Sequence, residues 1–196
     1  MASFLLGLTG GMASGKSTVA GWLGEAGFTV VDADQVVAML YAPGGAGAAA
    51  VATLFGDEML TLEGAVDHEK VAARVFSDPD ARRQLEARVH PLVGQRFQQL
   101  AMENDGVVVF EATLLVEAGM AAAFDLVVSI ESPSEAQLQR AIGRGMAEDA
   151  AKARLVAQGD GEKRRQGVHR IIQNSGTLDD LRREVDALIS EIREQD

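Results

Sequence analysis

Residues 4–18 read Phe4-Leu5-Leu6-Gly7-Leu8-Thr9-Gly10-Gly11-Met12-Ala13-Ser14-Gly15-Lys16-Ser17-Thr18. The apolar run Phe4 to Leu8 has the composition of a short buried strand. A glycine turn follows, and the residues from Lys16 to Leu23 have the spacing of a helix start. Inside the stretch lies G-x-x-x-x-G-K-[ST]: Gly10, then Gly11-Met12-Ala13-Ser14, then Gly15-Lys16-Ser17. Each position has a task in holding phosphate. The glycines permit a tight turn and bring backbone N–H groups against anionic oxygens. The helix behind them points its positive end at the same charge. Lys16 reaches the β- and γ-phosphates, and Ser17 offers a hydroxyl to Mg²⁺. A glycine-rich turn that binds nothing is the competing reading. The strand before and the helix after supply the context a phosphate loop needs, so Gly10 to Thr18 is read as a nucleotide triphosphate site.

With 196 residues, 47% of them hydrophobic, the chain can bury a core as one domain carrying an inserted subdomain. Against 29 acidic residues stand 18 basic ones, and the net charge of −11 argues against a dedicated nucleic-acid binder. From Arg140 to Arg170, however, the chain is locally basic, through Arg140, Arg144, Lys152, Arg154, Lys163, Arg164, Arg165 and Arg170. Such a segment is either a solvated helix face or an anion site, and the phosphate loop favours the second. Cysteine is absent, which excludes disulfide and thiolate chemistry. No basic n-region with a long apolar stretch is present, and no apolar run reaches the length of a membrane span. The expectation is a cytoplasmic protein with no membrane partner.

Further along, Ser17 to Ala26 continues as a helix ended by Gly27. Phe28 to Val31 reads as a second strand that delivers Asp32 and Asp34 at its C-terminal end, the edge where ligands sit in open α/β sheets. Residues 35–104 change to helical character: 46–54, 66–76, and 80–102 with a kink at His90-Pro91. Gly106 to Glu111 and Leu126 to Ile130 are buried strands. Helices follow from about Ser132 to Arg144 and from Glu148 to Gln158. Gly159-Asp160-Gly161 reads as a mobile loop, His169 to Ile172 as a last strand, and Thr177 to about Ile192 as a capped amphipathic helix. Alternating strands and helices imply a phosphate-loop α/β fold, with a parallel sheet of about five strands flanked by helices. The expected organisation is a nucleotide-binding core of residues 1–34 and 105–196, an inserted helical acceptor subdomain of 35–104, and a helical lid of 142–166.

A phosphate loop names the nucleotide and leaves the reaction open. The Asp-x-x-Gly and Asn-Lys-x-Asp segments of a GTP switch are missing, as is the Ser-Gly-Gly-Gln of a transporter ATPase. A small-molecule kinase needs a base, positive charge for the transferring phosphoryl and an acceptor pocket. Asp34, the Arg140/Arg144 helix and the helical insert offer one candidate for each.

The chain as a whole resembles the dephospho-coenzyme A kinase family. The resemblance rests on GLTGGMASGKSTVA, VVDADQVV, the run from Val75 to His90-Pro91, LLVEAG, Arg140-x-x-x-Arg144, Arg154-x-x-x-Gln158 and IIQNSG, in that order. It implies ATP as donor, Mg²⁺ as cofactor, and dephospho-coenzyme A as acceptor, phosphorylated on its ribose 3′-hydroxyl in the last step of coenzyme A synthesis. By that resemblance Asp34 would take the hydroxyl proton and touch the acceptor. Lys16 and Arg140 would neutralise the transferring phosphoryl, with Arg144 in the same work. Asn174 would lie in the adenine-side loop, and His90, Leu115 and Glu117 would lie on the acceptor side. A related nucleoside or small-molecule kinase, or a catalytically silent ATP-binding module, are the alternatives. The sequence departs from the family pattern at Ala38 and His68, where basic residues are common. It departs again at Glu111 to Glu117, where Asp-x-Pro-Leu-Leu-Phe-Glu is usual, and at Val168-His169, where Ala-Asp is.

Overall fold

In the computed structural model, which describes residues 2–195, the chain runs through β1 (Ala2–Gly10), α1 (Lys16–Glu25), β2 (Thr29–Asp32), α2 (Ala33–Tyr41), α3 (Ala46–Phe55), α4 (His68–Ser77), α5 (Pro79–Glu103), β3 (Gly106–Glu111), β4 (Leu126–Glu131), α6 (Ser134–Gly143), α7 (Glu148–Gln158), α8 (Glu162–Gln166), β5 (Arg170–Gln173) and α9 (Leu178–Gln195). It divides into two compact units. One comprises the chain up to Val31 and from Ala101 onward, the other residues 32–100.

The first unit is built on a five-stranded parallel sheet in the order β2-β3-β1-β4-β5. β1 takes the centre, with Leu6 opposite Val109 of β3 and Leu126 of β4. In β3 every residue after Gly106 is buried, the pattern of a parallel strand covered on both faces. On one face α1 and α9 supply Val19, Leu23, Leu181, Val185, Leu188 and Ile192 against Leu6, Leu8, Val109, Val128, Ile130 and Ile172. Each fully buried aliphatic side chain of this kind contributes about 1.5–3 kcal/mol. On the other face the Phe110 and Phe124 rings stack with centroids 6.0 Å apart. Because the strands are parallel, β1, β3, β4 and β5 all end at one edge, where Gly10, Glu111, Glu131 and Gln173 stand.

The second unit has its own small core of Ala48, Val51, Val66 and Val71, with Tyr41, Phe55 and Leu85 packed against it. Its only extended pairing among the described residues is the bridge of Leu60 with Val66. Asp67 caps α4 by accepting the Lys70 N–H, which starts the helix at His68, two residues later than the periodicity suggests. The His68 ring lies against Tyr41, centroids 5.7 Å apart. Pro91 sits inside α5 without ending it.

Three boundaries differ from the sequence reading for identifiable reasons. Asp32 is the last residue of β2 and accepts the Asp34 N–H at 2.7 Å as the N-cap of α2. Asp34 therefore belongs to the first turn of a helix and not to the end of a strand. The stretch after Gly161 forms α8, a turn too short to show periodicity. His169 precedes β5, and its ring Nδ1 accepts the Val127 N–H at 2.8 Å. Among the described residues no single helix is long and apolar enough to cross a membrane.

The α9 packing is checked by a pair of substitutions. Leu188→Ala, at a site with no exposure, is expected to cost about 2–5 kcal/mol in urea unfolding. Leu178→Ala, 62% exposed on the same helix, is expected to cost no more than about 0.5 kcal/mol.

Candidate active site

The turn from β1 into α1 engages the Met12, Ser14 and Thr18 N–H groups within the protein and leaves those of Lys16 and Ser17 at the start of the helix without a partner among the described residues. α1 begins after Gly15, with no side-chain cap and no acidic residue in its first turn. α2 and α4 carry aspartate caps and α9 the reciprocal Thr177–Asp180 box, whereas α6, α7 and α8 are uncapped like α1 but carry acidic residues in their first turns, which α1 lacks. An uncapped helix start at the ligand edge of a sheet is an anion site. Two glycines make the turn possible. At Gly15, φ is +106° and a Cβ would fall 2.3 Å from Asn174 Nδ2; at Gly10 one would fall 2.5 Å from the Ile130 carbonyl oxygen.

Glu111, at the end of β3 and 7% exposed, organises the side chains over this turn. Its Oε1 accepts from Lys16 Nζ at 2.8 Å and from Ser17 Oγ at 2.9 Å. A hydroxyl and a carboxylate at this spacing are hard oxygen donors of the kind Mg²⁺ takes. Among the described residues no three His, Asp or Glu side chains group as a metal cage, so further ligands would come from phosphate and water. The sequence reading passed over Glu111 as a site residue. The signal was there, in a buried strand that ends in a carboxylate next to β1.

Below the loop lies a second polar cluster. Asn174, 7% exposed, donates Nδ2 to the Ser14 carbonyl at 2.7 Å, and its backbone N–H to the Glu131 carbonyl at 2.7 Å. Arg140, on α6, gives Nη1 to Ser132 Oγ at 2.9 Å and to the Ala13 and Ser14 carbonyls at 3.4 and 3.5 Å. Its Nη2 reaches the Asn174 carbonyl at 3.3 Å. Both residues thus grip the backbone of Ala13-Ser14. Arg144, the residue after α6, is exposed; its backbone N–H closes the helix on the Arg140 and Ala141 carbonyls, while its side chain has no hydrogen bond or ion pair among the described residues and borders a 320 Å³ cleft with Met12, Ala13 and Met146. Gly11 and Met12 meet Gln137 and Gln158 at the other side of the loop, and Thr18 closes the first turn of α1 by donating to the Gly15 carbonyl at 3.1 Å.

The 142–166 segment is pinned by a buried ion-pair chain. Arg164 of α8, 5% exposed, bonds Glu131 through Nε at 2.8 Å and lies 3.8 Å from Glu117 Oε1. Burial alone would raise the Glu131 carboxyl. Hydrogen bonds from Arg164 and Ser129, with the Arg164 and Arg165 charges, outweigh it and hold the group below its usual 4.5. Glu117 therefore faces Arg164. Leu115, expected on the acceptor side, is 1% exposed with its side chain in the core beneath Gly7, and Leu114 is the exposed neighbour. Asp34 and His90 belong to the second unit, Asp34 exposed in the first turn of α2 and His90 half-buried in mid-α5.

Strand order, phosphate loop and the Lys16–Ser17–Glu111 group define a phosphate-loop kinase fold. A family model described as dephospho-CoA kinase matches residues 4–180. A dephospho-CoA kinase of Frankia casuarinae is 41% identical over 191 residues, covering 96% of this chain and 82% of its own. The crystal structure of a Thermus thermophilus protein superposes with a TM-score of 0.78 at 30% identity, covering 97% of this chain and 98% of its own. A dephospho-CoA kinase from Campylobacter jejuni superposes with a TM-score of 0.61 at 27% identity, covering 96% of each chain. The chain belongs to the dephospho-CoA kinase family, kinases that transfer phosphate to an alcohol group.

The ion-pair chain sets a pH dependence. Arg164→Met leaves the buried Glu131 carboxylate, and the part-exposed Glu117 beside it, without their cation and is expected to destabilise by about 3–5 kcal/mol at pH 7. Glu131 is depressed in the fold, so its stabilisation is complete above about 4.5 and is lost as pH falls through the folded value. In urea unfolding followed from pH 7 to pH 3, the gap between wild type and variant should narrow below that point.

Proposed function

We propose that the protein transfers the γ-phosphoryl of ATP to the ribose 3′-hydroxyl of dephospho-coenzyme A, giving coenzyme A and ADP in the cytoplasm. The observation that carries the donor half is the uncapped start of α1 with Lys16 and Ser17 gathered on Glu111. Family membership supports the acceptor half.

In this reading residues 10–18 bind the triphosphate through backbone N–H groups, and Lys16 leaves Glu111 to meet the β- and γ-phosphates. Ser17 and Glu111 would hold Mg²⁺, which when bound neutralises charge on the β- and γ-phosphate oxygens. Asp34 accepts the 3′-hydroxyl proton as that oxygen attacks phosphorus, and the bond to the β–γ bridging oxygen breaks, releasing ADP. Arg144, unpaired beside Met12 and Ala13, serves the transferring phosphoryl. Arg140 contributes positive charge toward the transferring phosphoryl while also bracing the loop from behind. Residues 142–166 close as a lid, residues 35–104 form the acceptor subdomain, and His90 and Glu117 support the acceptor side.

ADP release with Mg²⁺ and ATP, measured beside dephospho-coenzyme A, adenosine, AMP and buffer, is expected only with dephospho-coenzyme A, with coenzyme A identified by mass. Turnover of another acceptor would replace the acceptor assignment. ATP binding without turnover would point to a silent module. Asp34→Ala is expected to lower kcat by about 10²–10⁴-fold while ATP affinity, read by calorimetry, stays within about twofold. Undiminished turnover would remove Asp34 as the base.

A further inference from the structure

Two glutamines close on the start of the phosphate loop. Gln137 of α6, 7% exposed, donates Nε2 to the Ser132 carbonyl at 2.9 Å. Gln158, the last residue of α7, accepts the Met12 N–H on Oε1 at 2.9 Å. A Cβ on Gly11 would stand 3.3 Å from Gln137 Nε2 and 3.4 Å from Gln158 Oε1, so the second glycine of the pair is the gap that admits both carboxamides.

The Gln158 bond reaches a strained turn. Ser14 N–H donates to the Gly11 carbonyl at 3.2 Å, closing a turn of Gly11 to Ser14 whose third residue, Ala13, has φ +54°. That position selects glycine, because a Cβ crowds the backbone at positive φ. Ala13 is the one non-glycine residue with positive φ among the described residues. Something must hold it there. On one side Arg140 and Asn174 take the Ala13 and Ser14 carbonyls. On the other the Gly11–Met12 peptide is fixed at both ends, its carbonyl by Ser14 and its N–H by Gln158. A carboxamide can accept this bond without placing negative charge beside a triphosphate, which a glutamate would do.

We propose that Gln158 is a positioning residue for phosphoryl transfer: through the Met12 amide it holds the Gly11–Ser14 turn in its positive-φ form, and so arrays the loop for the triphosphate. Docking of the end of α7 then shapes the nucleotide site as well as covering it. The proposal rests on the ATP-binding half of the proposed function and not on the acceptor.

The test is a double-substitution cycle on the whole protein, reading the Kd for ATP with Mg²⁺ by calorimetry in the absence of acceptor, together with Tm. Gln158→Met keeps the length of the side chain and removes the acceptor. It is expected to raise the ATP Kd about three- to tenfold, the range of one neutral hydrogen bond, and to raise the ATP KM in turnover. In the Ala13→Gly background positive φ carries no Cβ penalty, so the same change should raise Kd by less than about twofold relative to that background. A purely structural contact would lower Tm alike in both backgrounds with Kd unmoved. Equal Kd penalties in the two backgrounds, or none in either, would overturn the proposal. Since no acceptor is present, failure of the dephospho-coenzyme A assignment would leave these affinities as they are.

Discussion

The start of α1 has no cap, and much of the first unit is arranged to keep it so. Asp32, Asp67 and Thr177 cap other helices, and the uncapped α6, α7 and α8 carry acidic residues in their first turns, but α1 has neither a cap nor an acid there. At Gly15 there is no side chain to reach back, and the acids that end neighbouring strands are already engaged. Glu111 is taken by Lys16 and Ser17, and Glu131 by Arg164 and Ser129. The Lys16 and Ser17 N–H groups are thereby kept for an anion, at the edge where parallel strands end.

Holding a loop open in this way requires support from outside it. A backbone that directs N–H groups inward directs carbonyls outward, and those carbonyls must be satisfied once buried. Asn174 and Arg140 do this for Ala13 and Ser14. They come from the loop after β5 and from α6, which are distant in sequence and brought together by the sheet order β1-β4-β5. The Arg140 guanidinium therefore has a structural task in bracing the loop.

The departures from the family pattern show how the chain adjusts around its chemistry. Glu111, where the resemblance implies aspartate, places one carboxylate oxygen on both Lys16 and Ser17. His169, where Ala-Asp is usual, keeps its place between β4 and β5 by accepting the Val127 N–H while its own N–H goes to the Val127 carbonyl. His68 opens α4 and lies against Tyr41. Ala38 is exposed on α2, and nothing in the structure explains the loss of a basic residue there.

Local signals were sufficient for much of this. The alternation of strands and helices, the phosphate loop and the helical insert are carried by residues adjacent in sequence, so periodicity, glycine spacing and β-branched runs in the order of the chain determined the fold class and the nucleotide site. Leu115 and Leu114 show the limit: both are leucines in one turn, and only packing beneath Gly7 decides which is buried. Asp34 shows it again, since whether it ended a strand or began a helix depended on one hydrogen bond to Asp32. Glu111 on Lys16, Asn174 under Ser14, Arg164 between two glutamates and Gln158 on Met12 join residues that are far apart in sequence. No pattern along the chain encodes which distant polar groups will meet. That was decided by the tertiary structure, because burial obliges each of these groups to find a partner and the sheet determines which partners lie within reach.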